Sequence, residues 1–140
     1  MTIYVAGFLF RNQGKEVALI KKRKPFWQYG LLNGVGGKVA AGETPAQAMA
    51  REFEEEAGIV VLDWRQFAEL SGPASYDTEN WRVHFFVADC ERGTAINSRT
   101  AEVVNWYWVG HLISYPTVGN LRWLIPMARG GVDGKIIEVK

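Results

Sequence analysis

The run GGKVAAGETPAQAMAREFEEEAGI, residues 36–59, decides the fold of this chain. Thr44 precedes Pro45, and Gln47 stands three residues beyond Thr44, which reads as a helix start. Thr44 is the expected N-cap, Pro45 the first helical residue and Gln47 the return partner of a capping box. Gly58 fits the position where a chain leaves a helix with positive φ. Between these ends Ala46, Ala50, Phe53 and Ala57 recur at helical spacing, and this face is expected to pack on a core.

Glu52, Glu55 and Glu56 stand at i, i+3 and i+4 on the opposite flank of the same helix. Like charges at this spacing weaken a helix by about 0.2–0.5 kcal/mol per pair. A divalent cation removes that cost, and hard oxygen donors suit Mg²⁺ or Mn²⁺ completed by substrate phosphates and water. A glutamate run by itself usually means a solvated acidic face. Here it comes in register with Gly37, Glu43, Arg51 and Gly58, and the metal reading prevails.

Counted from Gly37, five residues lead to Glu43 and seven more to Arg51-Glu52, followed by Phe53, Glu55-Glu56 and Gly58-Ile59. This pattern resembles the Nudix box, the signature of hydrolases that cleave a nucleoside diphosphate linked to another group. Phe53 stands where that family usually carries Ile, Leu or Val, a change that stays apolar and reads as repacking. The resemblance implies an α/β fold, an α/β/α sandwich with a mixed sheet, and Mg²⁺ as cofactor with Mn²⁺ as substitute. It also implies metal ligands at the Gly37 carbonyl, Glu52, Glu55 and Glu56, with Glu102 in the place of an additional ligand. Arg51 would orient a box glutamate, and Glu43 would brace the junction of loop and helix. The general base falls to Glu52, Glu55 or a carboxylate from a later loop.

Composition agrees with one globular enzyme domain over residues 1–140: 48% hydrophobic, 22% charged and a net charge of +1. No global field recruits nucleic acid or an anionic membrane. The single Cys90 excludes an internal disulfide and suits a reducing cytoplasm. No apolar run approaches the roughly 20 residues of a membrane span, and the N-terminus reads as a strand, not a signal peptide. Strands are expected at Ile3–Phe10 and Glu16–Lys22 around an Asn12-Gln13-Gly14 turn, and in Ile59–Leu70, Trp81–Asp89 and Val103–Val109. A helix over Asn120–Ala128, shortened or kinked by Pro126, and a strand over Ile136–Val139 after an Asp133-Gly134 turn complete the reading.

Gly34, Gly36 and Gly37 leave the backbone bare for an ion or phosphate just ahead of the metal helix. Lys38 reads either as a phosphate partner or as an exposed lysine. Arg23, in the KKRK run 21–24, is a candidate grip on a triphosphate, the alternative being a solvated strand end. The segment LLNGVGGKVAAGET (31–44) is similar to that of MutT-like Nudix enzymes that remove oxidised purine nucleoside triphosphates. That similarity implies base reading by Asn33 and Asn120, whose amides offer both donor and acceptor. Leu32 departs from the Trp found in the human member of that group, and each Asn has a plainer role as turn or cap residue. Trp27, with Phe26, Tyr29 and Trp123, is placed to stack a base, whereas Trp106 and Trp108 read as core. His84 and His111 lack metal-spaced partners and read as structural.

Three functions follow from this reading. The first is a Mg²⁺-dependent nucleoside triphosphate pyrophosphohydrolase that releases a nucleoside monophosphate and pyrophosphate. The second keeps the chemistry on a dinucleoside polyphosphate or nucleotide sugar such as ADP-ribose, to which Pro73 and Tyr76 point weakly. The third is a silent nucleotide-sensing module, disfavoured because such a module has no use for clustered repulsive charge.

Overall fold

The computed structural model describes residues 1–76, 78–130 and, as backbone, 135–138. Strand β1 (Thr2–Arg11) turns through Asn12, Gln13 and Gly14, all at positive φ, into β2 (Glu16–Lys21). A short 3₁₀ turn (Phe26–Gln28) precedes β3 (Leu32–Asn33) and β4 (Val35–Lys38), and α1 spans Pro45–Ala57. Then come β5 (Arg65–Gly72), β6 (Trp81–Asp89) and β7 (Val104–Trp108). A second 3₁₀ turn (Val109–Ser114), α2 (Leu121–Arg129) and β8 (Lys135–Glu138) close the chain. No described helix is long and apolar enough to cross a membrane.

The strands form one sheet in the order β3-β2-β1-β6-β5-β8, with β4 also paired to β1 and β7 to β2. It is mixed: β1 runs parallel to β6 and β5 to β8, and the other pairs are antiparallel. Side-chain alternation along each strand splits the core in two. Val5, Leu9, Ala18, Ile20, Phe86 and Ala88 face α1, where Ala48, Met49, Phe53 and Ala57 are buried against them. Phe8, Phe10, Val17, Leu19, Phe85 and Val87 face α2, whose Leu121, Leu124, Ile125 and Ala128 close that side. The result is the expected α/β/α sandwich.

Gly7 shows how closely α1 is seated. A Cβ there would lie 2.7 Å from the Met49 thioether and 3.0 Å from the Trp64 ring, so a side chain at this position would force Met49 to shift. A bulge at Phe67, between Gln66 and Ala68, turns both Phe67 and Ala68 toward the α2 face.

The structure corrects several local expectations. Ala46 is exposed, and the α1 face shifts to Ala48 and Met49, with Ala50 only half-buried. Residues 59–64 form no strand; they cross from α1 to the sheet and plug the core with Val61 and Trp64. Trp106 packs partly against the α1 side, but Trp108, at the strand end, is 47% exposed and is not core. Pro126 sits within α2 without ending it. The expected Asp133-Gly134 turn and Val139 lie outside the described residues.

Candidate active site

The loop after β4 and the helix α1 carry the site, and local chemistry fixes both. Thr44 Oγ1 accepts from Gln47 N at 3.2 Å, while Gln47 Oε1 accepts from Thr44 N at 2.9 Å. This capping box stabilises the helix start by about 1 kcal/mol. At the far end Gly58 takes φ 71°, and its N–H bonds Glu54 O at 3.0 Å. The box helix is thus closed at both termini by its own residues.

Arg51 organises the charges. Its Nε and Nη2 grip Glu43 as a fork at 2.7 and 2.9 Å, and Nη2 also donates to Lys38 O at 3.1 Å. Nη1 donates to Glu52 Oε1 at 3.0 Å and to Glu55 at 3.3 and 3.4 Å. Glu43 Oε1 also accepts from Ala40 N at 3.0 Å, which pins the loop. The Arg51 hydrogen bond, aided by the Ala40 N–H, holds the Glu43 carboxyl at about 2, well below its ordinary value. The same pairing raises the Arg51 guanidinium further above its ordinary value.

Glu52 sits differently. Its side chain is 13% exposed, and a Cβ added at Gly37 would lie 2.4 Å from its Oε1. The bare backbone at Gly37 lets the carboxylate sit this close; a Cβ there would make it shift. Burial pushes the Glu52 carboxyl up against the opposing pull of Arg51, and the charges of Glu55 and Glu56 add to the rise. The other two glycines of the loop have packing roles. A Cβ at Gly36 would meet Val5 O at 1.8 Å, and one at Gly34 would lie 3.1 Å from the Phe8 ring.

These residues fit a divalent cation in donor type. The carboxylates of Glu52, Glu55 and Glu56 offer only hard oxygens, and the largely buried Glu52, raised first by its burial, gains most from a positive charge nearby. Among the described residues, however, no three acidic, His or Cys side chains converge on one point. The reason is visible: Arg51 Nη1 engages both Glu52 and Glu55, and Glu56 Oε2 accepts from Thr100 Oγ1 at 2.7 Å.

Glu102 lies in the segment before β7 and already uses both oxygens. Oε1 accepts from Lys22 Nζ at 3.1 Å, and Oε2 accepts from Arg23 N at 2.7 Å and Lys24 N at 3.2 Å. Burial alone would raise its pKa, but these donors outweigh it and hold the carboxyl below the usual range. To ligate a metal, Glu102 would have to release one of them.

At the other end of the site, Asn33 Oδ1 accepts from Gly34 N at 2.8 Å and Nδ2 donates to Gln28 Oε1 at 3.2 Å. A backbone N–H can pair only with the amide oxygen, so the Asn33 amino group is the one that faces Gln28. Asn120 precedes α2 but makes no side-chain cap, and its Oδ1 is buried without a hydrogen-bond partner. The loop 23–29 exposes Phe26 (92%), Trp27 (67%) and Tyr29, and Trp123 is 38% exposed on α2. The Arg23 and Lys38 side chains are exposed. His84 faces Glu69 across the strands, Nδ1 to Oε1 at 3.5 Å, as a structural residue does.

The structure therefore gathers Gly37, Glu43, Arg51, Glu52 and Glu55 into one net and sets Glu56 at its edge. Arg23 joins Glu102 through its backbone. Sequence reasoning missed Gln28, Lys22 as partner of Glu102, and Thr100. No spacing rule links Thr100 to Glu56 across 44 positions, so no local signal could have found it.

Comparison with known proteins agrees with this geometry. The NUDIX domain family matches residues 1–112. An 8-oxo-dGTP diphosphatase from Haemophilus influenzae is 44% identical over 84 residues, covering 60% of this chain and 59% of that protein. The 8-oxo-dGTP diphosphatase of Escherichia coli is 32% identical over 68 residues, 49% of this chain and 53% of its own length. The matched part thus spans little more than half of these relatives. In fold, the chain is similar to the NUDIX domain of Shewanella oneidensis NrtR complexed with ADP ribose, at TM-score 0.77 and 21% identity, covering 92% and 86% of the two chains. It is also similar to a MutT protein from Bacillus halodurans, at TM-score 0.71 and 21% identity, covering 90% and 80%. The family match runs from β1 into the turn after β7 and takes in the whole Arg51 net together with Thr100 and Glu102; the chain belongs to the Nudix family.

Proposed function

We propose that this chain, over residues 1–140 as one catalytic domain, is a Mg²⁺-dependent nucleoside triphosphate pyrophosphohydrolase, with Mn²⁺ as substitute metal. Its products are a nucleoside monophosphate and pyrophosphate, and its preferred substrates are purine deoxynucleotides, oxidised ones included. The observation that carries the reading is the Glu52 carboxylate, seated against bare Gly37 and raised by burial and by two neighbouring carboxylates. Such a group is poorly stabilised until a cation arrives. The 8-oxo-dGTP diphosphatase relatives support the substrate class.

Gly37, Glu52, Glu55 and Glu56 would hold the metal, with Glu102 able to join them by releasing Lys22 or the 23–24 amides. Mg²⁺, when bound, supplies charge neutralisation to the diphosphate and Lewis acidity to the attacking water. Arg51 keeps Glu52 and Glu55 aligned and is itself anchored by Glu43 and Lys38 O. Glu52 or Glu55 receives the proton of the water, and the raised affinity of Glu52 for protons favours it as general base. Lys38 and Arg23 extend from the rim toward the phosphates. Asn33 reads the base once its amino group leaves Gln28, Asn120 Oδ1 offers a buried acceptor to a base donor, and Trp27 stacks. An unmet buried acceptor costs about 1–3 kcal/mol, which a bound base N–H would relieve.

A second reading, cleavage of ADP-ribose or another dinucleotide, draws on the likeness to an ADP-ribose-bound Nudix domain. Against it, Tyr76 is fully exposed among the described residues and forms no wall for a second nucleoside. The third reading, a silent sensor, is disfavoured by the intact glutamates. A turnover screen with Mg²⁺ on common and oxidised dNTPs, ADP-ribose and a diadenosine polyphosphate separates all three. Pyrophosphate release from dNTPs at kcat/KM of about 10⁴ M⁻¹s⁻¹ or more, reduced at least about 100-fold by Glu56→Gln, is the expected result. Unchanged turnover in Glu56→Gln would remove the metal assignment, and cleavage of ADP-ribose alone would return Asn33 and Asn120 to structural roles.

A further inference from the structure

The segment 97–104 fastens two distant parts of the molecule to each other. At one end it covers the C-terminus of α1. Asn97 N donates to Ala57 O at 2.9 Å and Arg99 N to Glu56 O at 3.2 Å, satisfying carbonyls that the helix leaves without partners. Gly58 permits this approach, since a Cβ there would lie 2.8 Å from Asn97 O. Ser98 then closes the segment on itself: its Oγ donates to Val104 O and accepts from Val104 N, both at 2.8 Å.

Within that closed loop Thr100 and Glu102 point to opposite ends of the site. Thr100 Oγ1 lies 2.7 Å from Glu56 Oε2 and 3.0 Å from Glu102 O. A hydroxyl has one hydrogen, and the shorter contact, to a charged oxygen, takes it. Glu102 turns the other way and accepts from the N–H groups of Arg23 and Lys24 and from Lys22 Nζ. Those amides begin the loop whose tip carries Phe26, Trp27 and Tyr29, all largely exposed. Charge-assisted bonds of this kind are roughly twice as strong as neutral ones, so Glu102 holds the root of a loop whose tip is exposed.

We propose that Thr100 and Glu102 are positioning residues that couple the Glu56 carboxylate of the box helix to the aromatic loop 23–29, so that the placement of one sets the other. The catalytic consequence rests on the function proposed above; the mechanical coupling does not. Loss of the Thr100 hydroxyl frees the segment to shift, and the Glu102 carboxylate shifts with it.

Amide hydrogen exchange on the whole chain tests the coupling without reference to activity. Thr100→Val contacts neither Arg23 nor Lys24, yet it is expected to speed exchange at both amides about fivefold, the effect of one hydrogen bond. Thr100→Ser keeps the hydroxyl and is expected to hold exchange near that of the parent. Glu102→Ala, which removes the acceptor itself, sets the upper limit of the effect. Faster exchange in Glu102→Ala with no change in Thr100→Val overturns the coupling, whatever the enzyme hydrolyses. In turnover, Thr100→Val is expected to raise KM for a dNTP about fivefold relative to KM for a base-less deoxyribose triphosphate. An equal rise for both substrates confines Thr100 to the phosphate end and also overturns the proposal. If neither compound is turned over, the pyrophosphohydrolase reading fails, and the exchange result alone decides the coupling.

Discussion

Around Arg51, three carboxylates and a backbone carbonyl lie within 3.4 Å of one guanidinium. Around Trp27, two-thirds of the side chain faces solvent, and the loop that carries it is held mainly at its root. The first region is organised before any ligand arrives; the second is left to adapt. Phosphate chemistry rewards charges fixed in advance, because reorganising dipoles during reaction costs rate. Base binding tolerates a loop that closes late, since stacking area is gained in many poses. The difference predicts that substitutions near Arg51 act on kcat and those near Asn33 and Trp27 act on selectivity.

Arg51→Gln would break the comparison most sharply. Losing the fork to Glu43 and the contact to Glu52 is expected to lower kcat by about 10–100-fold at saturating Mg²⁺, the usual range for groups that orient metal ligands. Steady-state kinetics with a far-ultraviolet spectrum to confirm folding checks this; kcat within twofold of the parent would mean that the net has no part in turnover. A smaller effect is expected at the other end. Asn33→Ala should reduce discrimination between purine and pyrimidine dNTPs by about 5–10-fold, one hydrogen bond's worth, and leave kcat nearly unchanged. An equal loss on every nucleotide would take Asn33 out of the base pocket.

The smallest effect concerns acid. Glu43 has a folded pKa of about 2 against an ordinary 4.5. A carboxyl so depressed adds stability that is full above its unfolded pKa and is lost as pH falls toward its folded value. Melting temperature should therefore fall between pH about 5 and 2, and Glu43→Gln should start lower and fall less steeply across that window. Parallel curves for the two proteins would show that the Arg51–Glu43 fork contributes no pH-dependent stability.

Much of the site was legible because its signals are local. The capping box, the Gly58 exit and the order of box residues all depend on spacing within one short stretch of chain, and each appears in the structure as expected. The apolar face holds at Ala50, Phe53 and Ala57 and departs only at its start, because alanine marks a helix face weakly: Ala46 and Ala48 look alike in sequence, and Met49, which fills the space over Gly7, decides between them. Trp108 departs from expectation for a similar reason. Its composition says core, but it lies opposite Glu16 at the end of β7, where no layer covers it. The Glu102 clasp was illegible because its partners stand about 80 positions away, and only the pairing of β7 with β2 brings them together.

The pairing of β1 with β6 bears on how the chain is made. Residues 2–10 lie parallel to residues 81–89 in nine consecutive matches, at the centre of the sheet. The first strand meets β2 and β4 early, but its longest pairing needs a partner synthesised some eighty residues later, whereas α1 carries both of its stops. Long loop closure before reward makes such chains slow to fold. Refolding should be limited by this central pair, and Val87→Ala should slow the folding arm of a chevron more than Ala50→Gly does. If Ala50→Gly slows it more, the box helix and not the sheet leads.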